Sequence, residues 1–352
     1  MVGNSNTPAS GKFRVESSEE AVNSFFIERG WSDGLPIIPP TEERVTGMLA
    51  AVGYKNAQDV IAILPPRMGA ATLEKIAINA VMAGCLPDYL PVIVSALKAM
   101  SDEKFSLRGV QSTTHPCSPL VVVNGPIARR IGLNGKGNAF GPGVRANATI
   151  GRALRLILIN VGGAVPGEID KSTQGQPSKY TYCVAENEEE NPWEPYHVEK
   201  GFRAEDSTVT VFAAENPHNI NEHTSVTGKG LLMTIAATMA TPGNNNAHFF
   251  TGEPILMLCP EHAATIAKDG FSKEQVKEFL FLNARFSLKN LSEENLQYRR
   301  KFPEKYGEFA DGEPAPIARK EDFVVMVLGG HGKHSCFIPT FGNNSVTVMI
   351  DT

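Results

Sequence analysis

Most sequence features that reveal a function directly are missing from this chain of 352 residues. No apolar run reaches the roughly 18 residues of a membrane-spanning helix, so we expect no membrane partner. The first twelve residues are small and polar, which predicts a frayed leader and not a signal peptide. Lysine and arginine are scattered and the net charge is −5, so we expect no nucleic-acid partner.

Cysteine is scarce and follows no pattern. The five cysteines are an odd number, and none belongs to a Cys-x-x-Cys pair. This argues against a disulfide framework and a dithiol redox motif, and it predicts a cytoplasmic protein. The glycine-rich segments contain neither a Walker A loop nor a Gly-x-Gly-x-x-Gly motif, so the chain has no nucleotide fingerprint.

Two segments that begin 135 residues apart, 119–135 and 254–270, follow the same pattern. In each, proline opens a five-residue apolar run, a turn follows, and a short segment with Ala and Ile three apart closes on glycine. This predicts a buried strand, a polar turn and a short helix ended by glycine. A duplicated α/β core, with a site between the two strand ends, and a chance recurrence are both open.

Strand patterns alternate with helix patterns along the chain. This predicts an α/β fold with mixed or mostly parallel sheets flanked by helices. We divide the chain into a leader and helix (1–30), a first half with a glycine-rich loop (31–175), and a second half (176–352). The second half contains an acidic loop, a helical excursion and a C-terminal glycine-rich loop. Ligands of such sheets bind beyond the carboxyl ends of the strands, where this chain has polar loops.

An acidic run follows the predicted strand 180–185. Glu186 and Glu188 are two residues apart, so they leave the strand on one face and are candidates for an acid–base pair of carboxylates. Most acidic runs are solvated loops. Trp193 and His197 follow closely, however, and favour a segment that folds over a site. We expect Trp193 to contact the substrate and His197 to move a proton.

Two glycine-rich loops, at 134–152 and 329–335, are candidates for anion binding. Glycines allow backbone N–H groups to approach a ligand, and a helix N-terminus attracts anions. Arg145 is a candidate clamp for a carboxylate or phosphate, and Asn147 is a candidate helix cap. A plain connector is the alternative. The predicted substrate-binding residues, besides Trp193, are Asn124, Asn134, Asn138, Arg145, Asn147, Lys333, His334 and Ser335.

His115 precedes Pro116, which restricts the histidine backbone to extended conformations and fixes its direction. We therefore expect an acid–base or ligand role, and a bond to a neighbouring carbonyl is the alternative. Cys85 lies at a turn between two apolar helices, and Cys117 lies two residues after His115. Both are candidate reactive thiols.

Two histidines and two glutamates lie within the nine residues 215–223. His218, Glu222 and His223 are candidate ligands of a divalent metal such as Zn or Fe, although their spacing is not His-Glu-x-x-His. A second option is His115 together with His197. The sequence indicates no other cofactor.

Several strings resemble those of poorly characterised bacterial proteins of the UGSC-type (seleno)protein family. They lie at 33–45, 77–92, 175–190, 192–195 and 332–335, and the resemblance extends from residue 31 to about residue 348. Members are often described as thiol-disulfide oxidoreductases. This chain lacks the Sec/Cys-Gly-Ser-Cys element that would justify that role. The resemblance therefore implies a shared fold and not a redox activity.

We expect an enzyme of hydrolase or lyase type that acts on a small anionic substrate. The glycine-rich loops would hold the anion, and His115 or His197 would move the proton with Glu186 or Glu188 as partner. A cysteine-dependent thiol oxidoreductase and a non-catalytic ligand-binding protein are the alternatives. The predicted helices 73–83 and 88–100 are apolar on nearly every face, which predicts a homo-oligomer, most simply a dimer.

Overall fold

The computed structural model describes residues 10–50, 56–306 and 313–351. The strands of these residues are β1 Val60–Leu64, β2 Gly69–Thr72, β3 Ser118–Asn124, β4 Cys183–Ala185, β5 Thr208–Ala214, β6 His218–Asn221, β7 Ile255–Leu258, β8 Arg285–Ser287, β9 Pro314–Pro316, β10 Val324–Val327, β11 His334–Ile338 and β12 Val346–Met349.

Several helices begin at a hydroxyl-bearing cap or at a proline, and the helix that starts after Thr72 ends at Gly84. They are α1 Glu19–Glu28, α2 Glu42–Ala50, α3 Leu73–Ala83, α4 Leu90–Met100, α5 Leu107–Gln111, α6 Pro126–Arg130, α7 Arg145–Asn160, α8 Tyr196–Glu199, α9 Gly228–Met239, α10 Asn245–Phe249, α11 Pro260–Lys268, α12 Lys273–Asn283, α13 Glu293–Arg300 and α14 Pro303–Tyr306. Across the described ranges, none is both long enough and apolar enough to cross a membrane.

Eight of these strands form two four-stranded sheets that share one topology. The first has the order β12-β5-β3-β4, and the second has the order β6-β11-β7-β10. In each, the last two strands are parallel and the other neighbours are antiparallel. Strands β3 and β7, which belong to the two similar sequence segments, occupy the same position. The α/β fold with mixed sheets is therefore confirmed.

The registers and the edge strands follow the same plan. Val121 of β3 pairs with Cys183 of β4, and the corresponding Leu256 of β7 pairs with Val325 of β10. The edge strands are exchanged: β6 follows β5 in the chain but pairs with β11, and β12 follows β11 but pairs with β5. The topology thus agrees with an internal duplication in which each half completes the sheet of the other.

Strand alternation places the two sheets face to face between helices. Leu120 and Val122 of β3 pack in one cluster with Ile255 and Met257 of β7. The outer face of the first sheet packs on α3, α4 and α7, and that of the second packs on α9, α11 and α12. The described chain is therefore a four-layer α/β/β/α arrangement.

The predicted boundary at residue 175 does not separate the sheets. Strands β4 and β5 lie beyond it, yet both pair with β3. Strand β12, from the far end of the chain, completes the first sheet at its edge. The first unit therefore continues to Ala214 before the chain enters the second.

Helix α4 is covered by its own chain. Leu90, Ile93 and Leu97 have no exposed surface, and they pack among α3, α7 and the first sheet. The prediction of a homo-oligomer rested on the need to cover these apolar faces. Since the same chain supplies that cover, the helices give no reason to expect a second subunit.

Candidate functional site

The carboxyl ends of β3 and β4 bring three predicted site residues together. Strand β3 ends at Asn124, and β4 is followed by Glu186 and Glu188. Because the strands are parallel, their carboxyl ends meet at one edge of the sheet. The Asn124 Nδ2 group donates to Glu186 Oε2 at 2.7 Å and to Glu188 Oε1 at 2.9 Å. The structure thus forms the predicted carboxylate pair, and the Asn124 amide bridges it.

Gly125, the residue after β3, holds Glu188 from the backbone. Its N–H donates to Glu188 Oε1 at 2.7 Å. Its φ of 83° and ψ of −170° lie in a region that only glycine adopts readily. A Cβ atom at this position would lie 2.1 Å from the carbonyl oxygen of Asp206. The site therefore requires glycine here, both for the conformation and for the space.

The two carboxylates have different environments. Glu186 is buried, whereas the Glu188 side chain is 18% exposed. Burial raises the pKa of Glu186, although the Lys273 ammonium and hydrogen bonds from the Tyr196 backbone and Asn124 act in the opposite direction. A carboxyl group that retains its proton more strongly than usual therefore lies beside one that reaches solvent.

His197 lies next to Glu188 with no exposed surface, and its Nδ1 is 3.9 Å from Glu188 Oε1. Among the described residues, neither of its ring nitrogens has a hydrogen-bond partner. The same holds for Asn124 Oδ1 and for Thr208 Oγ1, which belong to paired residues of β3 and β5. Since buried polar atoms are normally hydrogen-bonded, these atoms indicate a place where water or a ligand completes the bonding.

A cleft of about 100 Å³ opens beside the carboxylate pair, between the first glycine-rich loop and the acidic loop. Lys136 of the first loop bonds Glu189 of the second at 2.7 Å, so the two walls are joined by an ion pair. The cleft is lined by Gly125, Ala128, Arg129, Leu133, Asn134, Gly135, Lys136, Ala185, Glu186, Asn187, Glu188 and Glu189.

Asparagine side chains shape the first glycine-rich loop. Asn147 accepts from the Asn134 N–H and donates to the Asn134 carbonyl, both at 2.8 Å. Asn134 and Asn138 donate in turn to carbonyl oxygens of the same loop. The prediction that Asn147 caps the following helix is wrong, because α7 begins at Arg145 and contains Asn147. These amides hold one wall of the cleft in place.

The second glycine-rich loop binds a carboxylate of its own chain. The backbone N–H groups of Gly332 and Lys333 donate to Glu261 Oε2, and these bonds lower the pKa of Glu261. Ser335 is buried, and its hydroxyl bonds His262 Nδ1 at 2.8 Å. The Glu261 carboxylate therefore occupies the N–H groups that we expected to bind the anion of the substrate.

His115 lies at the opposite end of β3 from the carboxylate pair, roughly 20 Å away at the usual rise of a strand. Its Nδ1 accepts from the Cys117 N–H at 3.1 Å, so the ring proton is on Nε2, which donates to Glu215 Oε1 at 2.9 Å. The predicted partnership of His115 with Glu186 or Glu188 is wrong. A metal shared between His115 and His197 is excluded by the same separation.

Arg145 and Trp193 make structural contacts away from the cleft. Arg145 Nε donates to the carbonyl oxygen of Gly84 at 2.9 Å. The Trp193 indole N–H donates to the Phe271 carbonyl at 2.9 Å, and its ring packs against the second core. The structure therefore does not bring either side chain to the predicted substrate.

The cysteines are in environments that suppress the thiolate. Burial raises the pKa of both Cys85 and Cys117 to about 12. The Cys85 thiol also donates to the carbonyl oxygen of Thr149 at 3.2 Å. Burial likewise raises the pKa of Cys183, Cys259 and Cys336. Because the thiolate is the reactive form, the structure does not favour a cysteine-dependent reaction.

The three predicted metal ligands His218, Glu222 and His223 do not converge. The buried Glu222 carboxylate accepts five hydrogen bonds from backbone and hydroxyl groups of the segment 224–234. These bonds lower its pKa and occupy both of its oxygens. In the parts of the chain that the structure describes, no three His, Cys, Asp or Glu side chains are grouped to hold a metal ion.

The sequence interpretation missed Asn191, Glu261 and His262. Asn191 Nδ2 donates to Glu186 Oε1 at 2.8 Å. His262 connects the Ser335 hydroxyl to the carbonyl oxygen of Glu222, which lies 2.9 Å from its Nε2. The available signal for Glu261 and His262 is their place directly after the second of the two similar strand segments.

Comparison with protein-family models finds no match, and comparisons with curated proteins and with solved structures find none either. The resemblance to the UGSC-type family therefore stays a prediction. The residues of the cleft are the basis for inferring a function.

Proposed function

We propose that this protein is an enzyme of hydrolase or lyase type that uses Glu186 and Glu188 for acid–base chemistry on a small organic substrate. The observation that carries the proposal is the Asn124 amide, which bridges the two carboxylates at 2.7 and 2.9 Å beside a cleft. Carboxylates that share a site but differ in environment divide the roles of acid and base.

The environments suggest the division of roles. Glu186 is buried and its pKa is raised, so it suits the proton donor. Glu188 is fixed by Asn124 and the Gly125 N–H and reaches the cleft, so it suits the base. His197 is buried beside this carboxylate, with its Nδ1 3.9 Å from Glu188 Oε1. Proton transfer by positioned groups typically contributes about 10²–10⁴-fold to a rate.

An anionic substrate fits the cations of the cleft. Lys136 and Arg129 both line it, together with the carboxylates. An acid group of the substrate near Lys136 would compete with Glu189 for the ammonium group. The five unpaired cysteines support the proposal that this reaction takes place in the cytoplasm.

A ligand screen followed by turnover assays tests the proposal. Small carboxylates, hydroxy acids and amides are first ranked by the thermal stabilisation they produce, and product formation is then followed by proton NMR. Glu186→Gln and Glu188→Gln should each lower turnover at least 100-fold while the ligand still stabilises the protein. Glu190→Gln is the matched control, because Glu190 is exposed in the same acidic run and does not line the cleft.

Two outcomes would overturn the proposal. Unchanged turnover in both cleft variants would move the reaction to another site. Stabilisation by a ligand without any product, in the wild-type protein, would identify a non-catalytic binding protein.

A further inference from the structure

His223 and His334 face each other on the surface of the second half. Their Nε2 atoms are 3.3 Å apart, and their rings meet at 75° with centroids 5.1 Å apart. Both residues are exposed. His334 is the first residue of β11, and His223 follows the edge strand β6 by two residues. Neither belongs to the carboxylate cleft.

A hydrogen bond at Nδ1 of His334 determines which of its ring nitrogens has the proton in the neutral form. Nδ1 of His334 lies 3.0 Å from Oδ1 of Asn219, a residue of β6. An amide oxygen only accepts hydrogen bonds, so the neutral ring has its proton on Nδ1. The lone pair of His334 Nε2 therefore points toward His223. Hydrogen bonds of this kind orient the histidine ligands of metal sites and set their tautomer.

The separation of the two nitrogens matches that of two ligands on one metal ion. Zn–N bonds of about 2.0–2.1 Å at a tetrahedral angle place the two nitrogens about 3.3–3.4 Å apart. The observed 3.3 Å is longer than most direct hydrogen bonds between nitrogen and its acceptor, which are about 2.7–3.2 Å. We propose that His223 and His334 bind a divalent transition-metal ion such as Zn²⁺, with water in the remaining positions.

Hydrogen bonds hold the chain at and beside the two histidines. His334 is paired with Asn221 across the β6–β11 ladder. Beside His223, the Glu222 carboxylate is fixed by its hydrogen bonds to the segment 224–234, and Lys333 Nζ donates to the His223 carbonyl at 3.3 Å. His334 belongs to strand β11, so the backbone of this ligand loses little conformational entropy on binding.

Calorimetric titration of chelator-treated protein with ZnCl₂ at pH 7.5 tests this site. The wild-type protein should bind one ion per chain. His223→Ala and His334→Ala should each weaken binding at least tenfold, and Asn219→Ala should weaken it about tenfold by freeing the His334 ring. His218→Ala is the matched control. His218 is an exposed histidine of strand β6, to which Asn219 also belongs, so its substitution should leave the affinity unchanged.

A second readout separates this site from any other. The visible spectrum of bound Co²⁺ should lose its ligand-field bands in the His223→Ala/His334→Ala double variant, whose melting temperature without metal should equal that of the wild type. Wild-type affinity in the double variant would overturn the proposal, and so would the absence of stoichiometric binding to the wild-type protein.

Discussion

The backbone N–H of Gly125 lies 2.7 Å from Oε1 of Glu188. This bond joins the turn after β3 to the acidic loop after β4, so the two neighbouring loops hold one carboxylate between them. It forms only because Gly125 adopts a φ of 83° against the backbone of Asp206, where no side chain has room. The conformation of a single glycine thus positions the proposed base.

Gly125→Ala should therefore destabilise the protein by more than about 3 kcal/mol, from backbone strain together with the clash. Gly132→Ala is the control, because Gly132 also has a positive φ (67°) but nothing lies within 4 Å of an added Cβ. The control should cost about 1 kcal/mol. Urea unfolding of both variants measures the difference, and equal losses would contradict the role of the Asp206 contact.

The raised pKa of Glu186 predicts a pH dependence of stability. Burial makes the folded protein hold this proton more tightly than the unfolded chain, whose pKa is near 4.5. Unfolding therefore releases a proton between pH 4.5 and the higher folded pKa, and the free energy of unfolding falls as the pH rises through that window. The contribution is complete below pH 4.5 and lost above the folded pKa.

Melting temperatures from pH 4 to 8 should show this decline in the wild-type protein and in Glu190→Gln. Glu186→Gln does not titrate, so its curve should be flatter over the same range. A decline of equal size in Glu186→Gln would mean that another group is responsible.

Local patterns predict the central elements well. Helix α3 has the predicted bounds, because an apolar helix closed by glycine is a local signal. The carboxylate pair is predictable for a related reason: residues that directly follow neighbouring parallel strands meet at one edge. This rule also disfavours His115, which precedes its strand.

The edge strands of the two sheets, and the binding partner of the second glycine-rich loop, are not predictable from such patterns. Strands β6 and β12 are short and partly polar, and each pairs with a strand more than 100 residues away in the chain. The partner of the loop at 332–333 is Glu261, which only the second sheet brings within reach. Glycine content indicates exposed N–H groups but does not indicate which carboxylate they bind.

Glu222 should stabilise the protein at neutral pH. Its hydrogen bonds to the segment 224–234 hold its pKa well below the usual range, so the stabilisation is present above pH 4.5 and is lost as the pH falls toward the folded pKa. Glu222→Gln should lower the free energy of unfolding at pH 7 by about 2–3 kcal/mol, with a smaller difference at pH 3. Thr234→Val, which removes one donor at 2.8 Å, should cost about 1 kcal/mol. A pH-independent loss in Glu222→Gln would contradict the electrostatic origin.

The thiols of the folded protein should be unreactive at neutral pH. A pKa of about 12 in place of 9.0 lowers the thiolate fraction of Cys85 and Cys117 at neutral pH about a thousandfold. In the folded protein at pH 7.5, Ellman's reagent should therefore react slowly with all five cysteines, and fast stoichiometric reaction should require denaturant. Cys336 is the least buried, so Cys336→Ser assigns any residual reactivity. A thiol that reacts at the rate of free cysteine in both the wild-type and the Cys336→Ser protein would restore the cysteine-dependent oxidoreductase as the leading alternative.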